Sequence, residues 1–260
     1  MQRKTIALAE SGGVATITLN RPDKRNAISY ELIEELLAAL AEVEQSAAQI
    51  LILTGAGSSF CSGMDLDNLR SITGRTLAQN LEDSETMARL FRSLYDFPKP
   101  TIAAVNGAAV GGGCGLATLC DFTLASREAR FGYTEVRIGF MPAIVSTFLL
   151  RQVGEKRARD LLLTGRILDA DEALRLGLVS EVVEPARLVE RARELAASLM
   201  ANSPASLAAT KSLLSAFSRQ ELDDRIKSAV DENARIRATD DFREGVTAFL
   251  EKRKPKWSGK

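Results

Sequence analysis

Residues 100–116 of the chain read PTIAAVNGAAVGGGCGL, an apolar strand pattern that runs into three successive glycines. Glycine has no Cβ, so the backbone at residues 111–113 can adopt positive φ and can approach another group closely. If a helix begins at these glycines, its unpaired N–H groups and its dipole point at the same place. The stretch therefore predicts a preformed site for developing negative charge. A tight strand-to-helix turn without a ligand is the alternative interpretation.

Nucleotide binding is a weaker interpretation of the same glycines. No Gly-Lys-Ser or Gly-Lys-Thr follows them, and their spacing differs from the G-x-G-x-x-G of dinucleotide sites. A second motif, FCSGMDL at residues 60–66, follows an apolar strand pattern at residues 50–55. This second loop decides between the interpretations.

Together the two motifs resemble the crotonase superfamily, also called the enoyl-CoA hydratase/isomerase superfamily. Each motif alone is unspecific, but further matches follow in chain order: LNRP at 19–22, NAI at 26–28, CD at 120–121, FGYTE at 131–135, LTGR at 163–166 and GLV at 177–179. The resemblance implies an α/β fold, a crotonase-like spiral of ββα units with a carboxy-terminal helical trimerisation region. It also implies a homotrimer or a dimer of trimers.

The periodicity of apolar residues predicts the same division of the chain. Strand and helix patterns alternate up to about residue 200, which indicates an α/β core over residues 1–200. Only helical patterns follow, which indicates a helical region over residues 201–260, with a helix beginning at Pro204. The lysine-rich segment at residues 252–256 is expected to be a solvated end. Strands are predicted at 14–19, 50–54, 101–105 and 121–125, and helices after Ser29 and over 77–97.

The composition excludes several classes of function. Lys plus Arg and Asp plus Glu balance at 34 each, so no net charge attracts nucleic acid or an anionic membrane. The chain has no histidine, which removes Ser-His-Asp and Cys-His catalysis. Three cysteines, Cys61, Cys114 and Cys120, cannot build a disulfide framework or a zinc site. Cys114 lies beside the glycines, but without a histidine to activate its thiol, buried packing is its expected role. No signal peptide or membrane span is recognised, so a cytoplasmic, metal-free protein is predicted.

The resemblance assigns the chemistry to two backbone donors. In this superfamily a pair of N–H groups holds the thioester oxygen of an acyl-CoA while it becomes an enolate. By motif these donors are Met64 and Gly112. Coenzyme A belongs to the substrate, so no separate cofactor is expected. Residues implied to bind the substrate are Lys24, Arg25, Ala27, Ser62, Met64, Asp65, Leu66, Gly111, Gly112 and Gly115, with the acyl group between segments 69–94 and 141–148.

One acid of the two found in the superfamily's hydratases is present. Glu135 matches the second, and apolar neighbours in sequence would disfavour its charged form. Gly115 stands where the first acid would be, and an acyl group is expected to use the space. In having glycine at this position, and in the sequence of the loop after Glu135, the chain resembles methylglutaconyl-CoA hydratases. The predicted activity is enoyl-CoA hydration with Glu135 as acid and base. A Δ3-Δ2-enoyl-CoA isomerase and a non-catalytic acyl-CoA binding protein are the alternatives.

Overall fold

The alternating patterns form two sheets in the computed structural model, which describes residues 3–260. The strands of these residues are β1 (Ile6–Ser11), β2 (Val14–Leu19), β3 (Ile50–Gly55), β4 (Ser59–Cys61), β5 (Thr101–Val105), β6 (Ala108–Val110), β7 (Phe122–Ser126), β8 (Arg130–Gly132), β9 (Ile167–Asp169) and β10 (Glu181–Val183). The helices are α1 (Tyr30–Gln45), α2 (Leu66–Ile72), α3 (Leu77–Tyr95), α4 (Gly112–Thr118), α5 (Ala143–Val153), α6 (Glu155–Thr164), α7 (Ala170–Leu176), α8 (Leu188–Met200), α9 (Pro204–Ala216), α10 (Arg219–Ile236) and α11 (Asp240–Leu250).

The strand order shows how the chain winds. The larger sheet has the order β1-β2-β3-β5-β7-β10, and the smaller has the order β4-β6-β8-β9. Consecutive strands therefore alternate between the sheets: β3 then β4, β5 then β6, β7 then β8. A helix follows each pair, and the paired strands within each sheet are parallel along this run. The predicted spiral of ββα units is confirmed.

Strand β3 is buried on both faces, which explains its uninterrupted apolar sequence. Leu51 and Leu53 pack into the main core, whereas Ile50 and Ile52 pack into a second cluster under α8. Since neighbouring side chains on a strand point to opposite faces, each face of the larger sheet carries its own core. The cysteines are all buried, Cys61 and Cys114 completely.

Local signals set the helix boundaries close to the predicted ones. The Ser29 hydroxyl accepts a hydrogen bond from the Leu32 N–H and caps α1. Thr76 and Gln79 form a capping box at the start of α3, and this helix ends at Tyr95, before the two prolines. Helix α9 begins at Pro204 as predicted, with Ser203 as its cap.

The carboxy-terminal helices pack onto the core. Helix α10 lies against α3 and α5, and α11 lies against α2 and the 3₁₀ turn at Glu135–Ile138. The segment at residues 252–256 is largely exposed, but it is not a free solvated end as the sequence predicts. Arg253 Nη2 donates to Glu244 Oε2 at 2.8 Å, and the Ser258 N–H donates to Asp241 at 2.6 Å. The tail is thus bound along α11.

Residues 3–260 lack both a membrane-spanning helix and a cluster of metal-binding side chains. None of the helices there is long and apolar enough to cross a membrane. The same residues contain no group of three or more Cys, Asp or Glu side chains placed to hold a metal ion.

Candidate active site

The loop after β4 is held against the early loop of the chain by backbone hydrogen bonds. The Ile28 N–H donates to the Gly63 carbonyl at 2.8 Å, and the Asp65 N–H donates to the Ile28 carbonyl at 3.0 Å. The Ser62 N–H donates to the Arg25 carbonyl at 3.1 Å. Two segments more than 30 residues apart therefore form one rigid wall.

The glycine run brings a second loop against this wall. Gly111 has φ 56°, a conformation that L side chains rarely adopt, and it precedes the first residue of α4. A Cβ at Gly113 would lie 2.3 Å from the Cys61 carbonyl oxygen, so only glycine allows this approach. A Cβ at Gly111 would lie 3.9 Å from Gly63 Cα. The two loops therefore meet at these glycines.

The backbone N–H groups without a partner among the turn, loop and cap hydrogen bonds of residues 3–260 include two at this junction that the sequence predicts as donors. They belong to Met64 and Gly112. Gly112 is the first residue of α4, where the N–H has no carbonyl within the helix to bind. The positive end of the helix dipole adds to the attraction for negative charge.

Glu135 lies beside the glycine loop at the start of the 3₁₀ turn. A Cβ built on Gly111 would lie 3.2 Å from Glu135 Oε1, so glycine also makes room for the carboxyl group. The other oxygen, Oε2, is buried and has no hydrogen-bond partner among the described residues. Burial raises the pKa of Glu135 to about 7, and this outweighs a hydrogen bond to its own backbone, which lowers the pKa. The group can therefore exchange protons near neutral pH.

A cavity of about 530 Å³ joins these features. Met64, Gly111, Gly112 and Glu135 all line it. Of the other residues predicted to bind substrate, those that also line it are Lys24, Arg25, Ala27, Ser62, Asp65 and Leu66. Both segments predicted for the acyl group contribute, with Leu69, Met87, Phe91 and residues 141–145.

A family model described as Enoyl-CoA hydratase/isomerase matches residues 9–260. The chain belongs to the enoyl-CoA hydratase/isomerase family. It is 46% identical over 249 residues to a homologue from Thermus thermophilus, covering 95% of this chain and 98% of the homologue. It is 36% identical over 260 residues to the short-chain-enoyl-CoA hydratase of Clostridium acetobutylicum, covering 98% and 97%. An enoyl-CoA hydratase/isomerase structure from Xanthobacter autotrophicus superposes with a TM-score of 0.89 at 30% identity, covering 96% and 97%.

Asp65 sits in the family's loop motif, but its side chain is occupied. It is 3% exposed, its Oδ1 accepts from the Asp67 N–H at 2.9 Å, and its Oδ2 lies 2.8 Å from the Arg21 guanidinium. Burial disfavours its ionisation, but the Asp67 N–H and Arg21 outweigh burial and lower its pKa. Asp65 therefore caps α2 and fixes the loop. Lys24 and Arg25 are exposed at the rim of the cavity.

Gly115 requires a correction, since it does not line the cavity. A Cβ there would lie 2.7 Å from Val145 Cγ1 and 3.3 Å from Phe91 Cζ. Val145 and Phe91 therefore occupy the space beside Gly115, where the sequence analysis expected an acyl group. Glycine at this position serves the packing of α4 against α3 and α5.

The carboxy-terminal region contributes a wall of the cavity that the sequence analysis missed. The residues of this wall are Asn233, Arg237, Gly245, Phe249, Arg253 and Pro255. A signal was present in α10, where the partly buried Ile226 and the buried Val230 share one face at helical spacing. The next positions on that face are Asn233 and Arg237, and polar residues at buried positions indicate a site.

Proposed function

We propose that the chain is an enoyl-CoA hydratase, which adds water across the double bond of a 2-enoyl-CoA thioester. The observation that carries this proposal is the junction of the two glycine loops beside a buried carboxyl group. Unpaired N–H donors and a proton-exchanging acid in one cavity are what the reaction needs. The family's members named above are hydratases or hydratase/isomerases, which supports the same conclusion.

In this proposal the N–H groups of Met64 and Gly112 donate to the thioester oxygen. As water attacks C3, electrons move through the double bond to that oxygen and form an enolate. Donors already in place need no reorganisation, and one such donor is worth about 3 kcal/mol in studied enzymes. The α4 dipole stabilises the same charge.

Glu135 performs both proton transfers. Its carboxylate takes a proton from the attacking water, and the resulting acid returns that proton to C2 of the enolate. The other acids that line the cavity within residues 3–260 are Asp23, at the rim, and Asp65, which is bound to Arg21. Asp65 follows Met64 in the loop, but its carboxylate is held by the Asp67 N–H and by Arg21, so it is not available to transfer protons. A single carboxyl group therefore serves as base and then as acid.

The remaining parts of the cavity are assigned to the rest of the substrate. Lys24 and Arg25 supply cations for the CoA phosphates at the exposed rim. Ala27, Ser62 and Leu66 line the path from the rim to the loops. The same proposal divides the chain into a core over residues 1–200 and a helical region over residues 201–260. It also includes assembly of the chain into trimers.

Isomerisation is the second candidate, and the single acid favours it. A base that removes a proton from C2 of a 3-enoyl thioester and returns it at C4 needs no second carboxyl group. A closer relation to methylglutaconyl-CoA hydratases gains no support from Gly115, because packing explains that glycine. None of the relatives named above carries that description.

The decisive experiment compares Glu135→Gln with the wild type. Hydration of crotonyl-CoA should fall by about 10²–10⁴-fold in kcat, because the amide keeps the shape but cannot transfer the proton. Glu128→Gln, at an exposed glutamate, is the matched control and should keep the wild-type rate. A folded Glu135→Gln protein with wild-type turnover would exclude the assignment. Parallel assays with a 3-enoyl-CoA decide between the activities: isomerisation that far exceeds hydration favours the isomerase, and no turnover of either favours a binding protein.

A further inference from the structure

A buried cation, Arg237, lines the part of the cavity that the sequence analysis assigns to the acyl group. Asn233 and Arg237, near the end of α10, line the cavity together with apolar side chains from three other segments: Leu69, Met87, Phe91, Phe140 and Val145. Asn233 Nδ2 donates to the Met141 carbonyl at 3.4 Å, and Arg237 Cζ lies 5.3 Å from the centre of the Phe140 ring. Both polar residues therefore contact the wall assigned to the acyl group.

Arg237 is 3% exposed, and its hydrogen bonds leave one of its three guanidinium nitrogens without a partner. Its Nη1 forms an ion pair with Asp83 on α3, and its Nη2 donates to Asn233 Oδ1 at 2.8 Å. Its Nε is buried and has no acceptor within residues 3–260. A buried donor without an acceptor costs free energy, so native proteins seldom retain one without a purpose.

The charges around Arg237 do not balance. Asp83 also pairs with Arg75 at 3.2 Å, so two guanidinium groups share one carboxylate. No other carboxylate in the described chain forms an ion pair with either arginine. Tyr30, beside this group, does not supply the missing charge: burial and the nearby Asp83 raise its pKa to about 12. One positive charge is left over in this cluster. Arg75 is partly exposed, but Arg237 is buried, and a buried charge that shares its counter-ion is costly unless a further anion pairs with it.

We propose that the substrate's acyl group ends in a carboxylate, which Arg237 and Asn233 receive at the far end of the cavity. The substrate class is then the mono-CoA thioester of an unsaturated dicarboxylic acid. This inference rests on the proposed function, since it names the acyl group of the same reaction. A purely structural role, in which Asp83, Asn233 and Arg237 join α10 to α3, explains the bonds at Nη1 and Nη2. It does not explain the surplus charge or the unpaired Nε.

The test compares substrates that differ at their distal end, where a charged carboxylate is replaced by a neutral methyl ester. The wild-type enzyme is assayed with 2-enedioyl mono-CoA thioesters of five to eight carbons and with their ω-methyl esters. At the preferred length, kcat/KM should be at least about tenfold higher for the acid, because a hydrogen bond to a charged group is lost in the ester. In Arg237→Met the ratio should fall to about one, whereas Arg235→Met, on the exposed face of α10, should keep it.

Equal kcat/KM for acid and ester at every length in the wild type would overturn the inference and leave a structural role for the cluster. That result needs no variant, so misfolding of Arg237→Met cannot obscure it. Binding of the saturated acid and ester thioesters by calorimetry is measured alongside, with tighter binding of the acid expected. Absence of all hydration, of crotonyl-CoA included, would contradict the proposed function instead, and the calorimetric ratio would still decide the inference.

Discussion

The carboxyl group of Glu135 is buried, and burial disfavours its charged form. Its folded pKa of about 7 lies above the 4.5 of an exposed glutamate. The neutral acid is therefore favoured in the folded state, and this contribution to stability is present at low pH. It is lost as pH rises from about 4.5 through 7, because the carboxylate then has to be buried. Activity and stability depend on this proton in opposite directions.

We predict that kcat/KM for crotonyl-CoA falls as pH is lowered through about 7, because the base that activates water becomes protonated. The profile of kcat/KM reports the free enzyme, so its inflection should match the pKa of Glu135. Measurement from pH 5 to 9, with circular dichroism at each pH, checks the prediction. A flat profile down to pH 5 would contradict it.

Gly112 offers a direct test of a backbone donor. As the first residue of α4 it can accept proline, which removes the N–H while suiting that helical position. We predict that Gly112→Pro lowers kcat by about 10²–10³-fold. Gly112→Ala keeps the N–H and adds a Cβ 3.1 Å from the end of the Ile28 side chain, so its loss should be much smaller. Equal activity of folded Gly112→Pro and Gly112→Ala would exclude the Gly112 N–H as a donor.

Substitution of Gly115 tests its role in packing and not a role in catalysis. The Cβ of Gly115→Ala would lie 2.7 Å from Val145 Cγ1, and valine has little freedom to rotate in a helix. We predict a loss of about 1–3 kcal/mol in the free energy of unfolding, measured with denaturant. Val145→Ala in the same chain should restore part of it. A stable Gly115→Ala with a changed substrate preference would return this residue to the substrate site.

Among the elements, those with local signals were predictable from the sequence. The cap at Ser29, the prolines after α3 and the alternating pattern of β2 each fix a boundary within a few residues. The site could be predicted only as far as its motifs reach, which covers the glycine loops and Glu135. The wall from α10 and α11 depends on contacts between residues that are far apart in the chain, from 92 positions for Asn233 and Met141 to 154 for Arg237 and Asp83. The spacing of residues along the chain does not predict such contacts. The packing role of Gly115 could not be predicted for a related reason, since its neighbours Phe91 and Val145 belong to other helices.

Helix α11 is predicted to position the turn that carries Glu135. A Cβ at Gly245 would lie 2.3 Å from the Ile138 carbonyl oxygen, so the helix and the turn touch through backbone. Gly245→Ala should push the turn away and lower kcat more than it raises KM, with a shift in the pH inflection of Glu135. Thr247→Ala, on the exposed face of α11, is the control. Loss of stability with an unchanged pH profile would limit Gly245 to packing.

At the scale of the whole molecule, α9 leaves an apolar surface uncovered. Leu213, Leu214 and Phe217 are 56%, 60% and 74% exposed. Such side chains are typical of a subunit interface. We predict that the chain sediments as a trimer or hexamer, and that Leu213→Gln with Phe217→Gln shifts it toward monomer. Val189→Gln on α8, at 55% exposure, is the matched control. A monomer in the unmodified chain at micromolar concentration would contradict the assembly.

The tail bound along α11 has a consequence for spectroscopy. The chain's single tryptophan, Trp257, lies in this tail between Lys256 and Ser258, whose N–H groups donate to Glu244 and Asp241. Indole fluorescence therefore reports the docking of the tail on α11, which is lost either when the tail alone is released or when the whole fold melts. Denaturation followed by emission would record release of the tail, and a spectral shift on adding CoA would record events at the rim beside Arg253 and Pro255.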